Sequence, residues 1–134
     1  MLRLAQTPHP LRAPEFLALT SVWAYQIIET DEPGAQWEVR GLGYWIGLHG
    51  ADHEILAYHW HPLTPGGPTF PHLHLSAGAG RLLPRLTIAH LPTGLVHLED
   101  VLPLAIETFG ARPLHRDWDD VLTTSKAQAI TAWT

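Results

Sequence analysis

The chain has no cysteine among its 134 residues, which excludes both a disulfide framework and a metal site built on thiolates. Histidine and carboxylate are therefore the only strong metal ligands that the sequence offers. No apolar run approaches the ~20 residues that a membrane helix needs, so we expect no contact with a membrane. The first sixteen residues are broken by prolines and hold no continuous apolar region like that of a secretion signal, which predicts a cytoplasmic protein.

Charge is also scarce. Charged residues make up 16% of the chain, and the formal net charge is −5. Broad binding to nucleic acid depends on Lys and Arg that neutralise phosphates, so this balance argues against it. Any contact with RNA would have to be local. The arginines that could form such a patch are Arg81, Arg85, Arg112 and Arg116.

The composition predicts one domain, residues 1–134, since 46% of the residues are hydrophobic and the length suits a single core. Three prolines make residues 1–14 an extended N-terminal arm. Residues 20–92 are predicted to be mainly β, and residues 98–133 carry a helical pattern. Strands followed by helices indicate an α+β fold, with an antiparallel sheet of about four to six strands and two C-terminal helices packed on one face.

Alternating apolar and polar residues define the strands. The predicted strands are residues 21–30, 36–48, 54–61 and 70–75, with a further strand at 85–90. In the second of these the alternation changes after Gly41 and Gly43, which predicts a bulge or sharp twist at the glycines.

Two helices are expected at the C-terminal end. The first has an apolar stripe at Val101, Leu102, Ala105, Ile106 and Phe109. Asp100 is predicted as its N-cap, which would put Pro103 in the first turn, and Gly110 is predicted to end it. The second helix is predicted at residues 117–133, with Asp117 or a neighbour as its cap.

The richest chemistry lies in residues 58–75, YHWHPLTPGGPTFPHLHL. It contains two His-x-His pairs, His59 with His61 and His72 with His74, joined by a loop too rich in Pro and Gly to be helical. Side chains alternate along a strand, so each pair places two imidazoles on one side, about 7 Å apart. Two such strands side by side would gather four imidazoles on one surface.

One interpretation of this surface is a metal site, because neutral imidazole binds Zn²⁺, Ni²⁺ or Fe²⁺ well. The candidate ligands are His59, His61, His72, His74 and His90. Paired histidines on a strand resemble the cupin metal site. A cupin also needs a glutamate a few residues further on, and none follows His61 or His74 closely.

A second interpretation is acid–base chemistry on a phosphodiester, without a metal. A ribonuclease of this kind needs a base for the 2′-OH proton, an acid for the leaving oxygen and a cation for the developing charge. We assign base and acid to His72 and His74, with His59 or His61 as partner. Contact with the substrate is assigned to Arg81, Arg85 and Tyr58.

Residues 44–75 also show a family resemblance. An aromatic strand ends in Tyr58, a loop punctuated by prolines follows, and then comes the segment Thr69-Phe70-Pro71-His72. This order resembles the TumE family, the toxins of toxin–antitoxin pairs. The resemblance implies a toxin that acts on RNA and is neutralised by a helix-turn-helix antitoxin protein.

A third hypothesis is a non-enzymatic interaction module that binds a partner protein through its aromatic strands or terminal helices. The negative net charge fits this hypothesis at least as well as RNA binding. Toxin-like ribonuclease, histidine-only metal protein and interaction module all stay open from the sequence.

Overall fold

The computed structural model describes residues 2–3, 7–31, 33–34, 36–76 and 89–129. The strands are β1 Leu2–Arg3, β2 His9–Leu11, β3 Leu17–Glu29, β4 Trp37–His49, β5 Glu54–Trp60, β6 His72–Leu75 and β7 Leu91–Pro92. Two helices follow, α1 Leu98–Glu107 and α2 Trp118–Ala129. The predicted α+β fold, an antiparallel sheet followed by two C-terminal helices, is therefore confirmed. No helix in these described ranges is long and apolar enough to cross a membrane.

The long hairpin of β3 and β4 is the centre of the sheet. The strand order is β1-β3-β4-β5-β6-β7, with every pairing antiparallel. The short strand β2 lies off this path. It pairs with the first residues of β3, Leu17 to Leu19. Two parts of the N-terminal arm are thus hydrogen-bonded to the sheet. The predicted bulge at the glycines is also present, because Ala24 pairs with Gly43 and Tyr25 with Gly41, leaving one extra residue in β4.

Two predictions fall wholly or partly outside the described residues. Residues 85–88 of the strand predicted at 85–90 lie outside the described residues, and the described part of the chain resumes at Ala89. The predicted end of the second helix, residues 130–133, also lies outside the described residues. The strand predicted at 70–75 begins two residues later, at His72.

The start of α1 corrects one prediction. His97, not Asp100, is the N-cap, and Asp100 accepts a hydrogen bond from the His97 backbone N–H at 3.0 Å through Oδ2. An acidic residue at the third helical position can satisfy the N-cap donor, and this reciprocal role places the helix start three residues earlier. Pro103 therefore lies inside the helix rather than in its first turn. Gly110 follows the helix end with φ of 71°, the left-handed conformation that glycine adopts at little cost.

The hydrophobic core lies between the sheet and α1. Tyr44, Ile46 and Leu48 of β4 are buried there, against Val101 and Ala105 of α1. Tyr44 also accepts a hydrogen bond from the Val96 N–H at 2.9 Å, which ties the segment before α1 to the sheet. We call this side of the sheet the helix face.

The second helix is held by the first. No residue of α2 is buried within 118–129. Its Ser125 hydroxyl donates to Glu99 at 2.5 Å, and the Lys126 ammonium pairs with Asp100. These contacts hold α2 against α1, so α2 lies on the same side of the sheet as α1.

A glycine allows β4 and β5 to approach closely where β5 ends. A Cβ added at Gly43 would lie 2.5 Å from the backbone carbonyl oxygen of Trp60, and a backbone atom cannot move away cheaply. We expect Gly43→Ala to lower the free energy of unfolding by about 1–3 kcal/mol, the usual cost of overpacking. Chemical denaturation measures this change.

The matched control is Gly94→Ala, because a Cβ at Gly94 would meet nothing within 4 Å. It should leave the free energy of unfolding within about 0.5 kcal/mol of the starting protein. Equal stability of the two variants would show that the close approach at Gly43 does not exist.

Candidate functional site

The pairing of β5 with β6 brings the two His-x-His pairs together. His59 lies directly opposite His72 in the antiparallel register, and His74 lies opposite Ala57. Since residues opposite each other share a face of the sheet, His59, His72 and His74 lie on one side. This side is opposite to the helix face, and we call it the histidine face.

Five imidazoles form one cluster. His59 lies 4.7 Å from His74 and 5.5 Å from His72, measured between ring centroids, and His72 lies 5.0 Å from His74. His61 lies 5.3 Å from His72, and His90 lies 4.7 Å from His74. We call these five residues the histidine cluster.

The positions of His61 and His90 follow from local structure. His61 comes directly after β5 and begins a turn, since its carbonyl oxygen accepts from the Thr64 N–H at 3.1 Å. His90 comes directly before β7, whose Pro92 pairs with His72. The Thr93 N–H also donates to the Pro71 carbonyl at 2.9 Å. These bonds hold the start of β7 beside β6 and His90 beside His74.

His72 is fully buried and has a defined tautomer. Its Nδ1 lies 2.9 Å from the carbonyl oxygen of Phe70. A carbonyl oxygen only accepts, so Nδ1 carries the proton and donates. In the neutral ring Nε2 then bears a free lone pair. Histidines that bind metals commonly have this arrangement, with the other ring nitrogen donating to a carbonyl or carboxylate.

Three ring nitrogens of the cluster are buried without a hydrogen-bond partner in the described structure. They are Nε2 of His72, Nε2 of His59 and Nδ1 of His61. Buried polar atoms are almost always paired, so three unpaired nitrogens in neighbouring rings call for an explanation. A shared ligand that accepts several lone pairs would satisfy them together.

The cluster favours neutral imidazoles. Burial, followed by the nearby rings of His74, His72, His61 and His90, lowers the pKa of His59 to about 3. The pKa of His72 is also lowered, mainly by burial and against the opposing effect of the Phe70 carbonyl. Burial and the neighbouring imidazoles lower the pKa of His74 in the same way. Near pH 7 these three rings are therefore in the form that binds metals.

Three of the rings are close enough to share one ion. His59, His72 and His74 each offer a ring nitrogen, and these nitrogens lie within 4.8 Å of one another. Three points at most 4.8 Å apart fit within a circle of radius about 2.8 Å, which is about 0.7 Å longer than the Zn–N distance of about 2.0–2.1 Å. The three rings would therefore have to move closer together to hold one ion.

Aromatic side chains border the cluster. Trp45 of β4, which pairs with His59, has its ring 4.7 Å from that imidazole. Phe70 meets His72 edge-on at 5.9 Å. Neither residue was predicted from the sequence to belong to the site. For Trp45 the alternation within the predicted hairpin was an available signal. Its pairing with His59, however, depends on the register between the two strands, which the sequence does not specify.

A pocket of about 660 Å³ adjoins the cluster on the histidine face. Its wall includes Val22 of β3, Trp45 of β4, His61 and Leu63. At one end the hydroxyl of Thr20 and Nε2 of His49 are hydrogen-bonded at 2.9 Å. We call this space the adjoining pocket.

One predicted site residue, Tyr58, does not join the cluster. Tyr58 packs against the hydrophobic core on the helix face, because neighbouring residues of a strand point to opposite sides. The structure thus separates its side chain from the four histidines with which it was grouped. Arg81 and Arg85, the predicted phosphate contacts, lie outside the described residues.

Comparison of the chain with protein-family models, with curated proteins and with solved structures gives no match. The TumE-like function expected from residues 44–75 therefore stays a prediction. The geometry of the site is therefore the basis for a proposed function.

The lowered pKa of His59 predicts a loss of stability in acid for the metal-free protein. The pKa is about 3 when folded and 6.5 as an ordinary value, so between these pH values the unfolded chain binds a proton that the folded chain does not. The free energy of unfolding should therefore fall as the pH is lowered below 6.5. Denaturant titrations at pH 7 and pH 4.5 measure this fall.

The control comparison uses two substitutions. His59→Gln should make the fall between pH 7 and pH 4.5 smaller, and His53→Gln, at an exposed position of the β4–β5 turn, should leave it unchanged. If His59→Gln loses as much stability as the starting protein over this interval, His59 is not buried as a neutral ring.

Proposed function

We propose that the protein is a metal-binding protein that holds one divalent transition-metal ion on His59, His72 and His74. The observation that carries the proposal is the state of His72. This ring is fully buried, its proton is committed to the Phe70 carbonyl, and one of its ring nitrogens lies within 4.8 Å of a ligand nitrogen on each of the other two rings. Packing against apolar side chains alone would gain nothing from nitrogen lone pairs placed in this way.

The donor set favours a divalent transition-metal ion over Mg²⁺ or Ca²⁺. Imidazole suits Zn²⁺, Cu²⁺, Ni²⁺ and Fe²⁺, whereas Mg²⁺ and Ca²⁺ prefer oxygen ligands. The group found in the described residues contains three histidines and no carboxylate. Neutral ligands leave the full double charge on the ion, which strengthens its attraction for an anion or a bound hydroxide.

Three protein ligands also suggest a working centre rather than a purely structural one. Structural zinc sites are generally closed by four protein ligands, whereas catalytic zinc sites use three and keep one position for water or substrate. His61 and His90 lie on two sides of the three ligands, within ring contact of His72. Either could approach the fourth position or exchange a proton with the group that binds there. We propose Lewis-acid chemistry on a small ligand as the role of the centre, in a cytoplasmic protein.

The same geometry gives less support to a metal-independent ribonuclease. That mechanism needs one imidazole protonated as the acid and another neutral as the base near pH 7. The pKa values of His59, His72 and His74 are all lowered, first by burial and then by the neighbouring imidazoles. These three rings can supply the base but are poor acids. The toxin-like ribonuclease with its antitoxin partner remains a hypothesis, as does the interaction module.

Zinc binding tests the proposal directly. Protein prepared without a histidine tag and stripped with a chelator should bind one Zn²⁺ per chain in isothermal titration calorimetry. Because zinc binds the folded state, it should also stabilise the fold, by about 2.7 kcal/mol at a free concentration 100 times Kd. His59→Ala and His74→Ala should each remove this zinc-dependent gain. The fully buried His72 is left intact, since its replacement would disturb the fold itself.

His53→Ala and His115→Ala provide controls, because both residues are exposed and lie outside the histidine cluster. They should bind zinc as the starting protein does. The gain in stability, and not the absolute stability, is the quantity to compare. Equal zinc-dependent gains in His59→Ala, His74→Ala and the two controls would rule out this site.

A further inference from the structure

The adjoining pocket has the size of a small-molecule site. Its volume of about 660 Å³ falls within the range of roughly 300–1,000 Å³ that is usual for ligand pockets. Among the described residues that line it, none is Asp, Glu, Lys or Arg. The wall is built mainly from apolar side chains such as Val22, Leu42 and Leu63. A charged body inside it would lose its hydration and find no counter-charge.

The pocket and the histidine cluster share part of their walls. Trp45 lines the pocket, and its ring lies 4.7 Å from that of His59. His61 lines the pocket as well, with its ring 5.9 Å from His59 and 5.3 Å from His72. Trp45 and His61 are therefore neighbours both of a molecule in the pocket and of the proposed metal ligands.

One indole makes the pocket suited to flat rings. The ring of Trp45 lies on the histidine face, whereas Trp60 lines the pocket from a strand position whose side chain packs on the helix face. An aromatic ligand can stack on an indole or meet its edge, which adds about 0.5–1.5 kcal/mol to the effect of buried area. The polar side chains of the wall include the hydrogen-bonded pair of Thr20 and His49, and His61 of the histidine cluster.

We infer that the adjoining pocket binds a small molecule with an uncharged aromatic body and one nitrogen or oxygen donor, and that this donor takes the open position of the metal. The inference rests on the proposed function, since it needs the ion on His59, His72 and His74. The pocket supplies the affinity for the body of the ligand, and the ion supplies the affinity for its donor.

The test compares two ligands on protein loaded with Co²⁺, whose visible spectrum reports directly on its ligands. Imidazole and 4-phenylimidazole carry the same donor, and only the second has an aromatic body. We expect 4-phenylimidazole to bind at least tenfold more tightly than imidazole. Val22→Asp, which places a carboxylate in the wall, should bring this ratio toward one.

A second variant and a control keep the result clear. Leu63→Asp tests the pocket without threatening the fold, because Leu63 is 76% exposed, and it should also reduce the ratio. Val121→Asp is the matched control on α2, where Val121 is 50% exposed. Its ratio of affinities for the two imidazoles should equal that of the starting protein.

The possible failures are distinguishable. If His59→Ala and His74→Ala bind Co²⁺ as the starting protein does, the proposed metal site is wrong. If the cobalt site is present but both imidazoles bind equally, the site stands and the inference about the pocket is wrong. A tenfold preference that persists in both Val22→Asp and Leu63→Asp would place the phenyl ring elsewhere and also overturn the inference.

Discussion

The antiparallel pairing of β5 with β6 is the constraint on which the site depends. Its register sets His59 against His72 and places His74 two pairs further along, opposite Ala57. A shift of one residue would turn every side chain of β6 to the other face and replace the two histidines with Leu73 and Leu75. The hydrophobic core disfavours this shift, because Tyr58 and Trp60 of β5 pack on the helix face. The same alternation thus builds the core and the cluster.

The cluster also has a cost for the fold without metal. Burial and mutual repulsion keep the rings of His59, His72 and His74 neutral, and His59 and His72 each have a buried nitrogen with no partner among the described residues. Unpaired buried groups of this kind lower stability by about 1–3 kcal/mol each. A bound ion would offset that cost and join the folding of β5 and β6 to metal binding. The stability of the core between β4 and α1 allows the sheet to carry such a site.

Much of the fold follows from patterns that are local in the chain. Alternation predicted β3, β4, β5 and β6, the four-histidine face and the bulge at Gly41 and Gly43, while the apolar stripe predicted α1. What could not be predicted depends on contacts between distant segments or on details of the backbone. The tautomer of His72 depends on where the Phe70 carbonyl lies, and the place of Trp45 depends on the register of β4 with β5. The helix start was missed because Asp100 fits two positions of a capping box equally well by residue type.

X-ray absorption at the zinc edge tests the central claim most directly, because imidazole rings give a characteristic scattering pattern around the ion. On untagged protein loaded with one Zn²⁺, the proposed centre predicts at least three imidazole nitrogens at about 2.0–2.1 Å. The same measurement on His59→Ala should show fewer imidazoles. A first shell made mainly of oxygen, with at most one imidazole, would contradict a site on His59, His72 and His74.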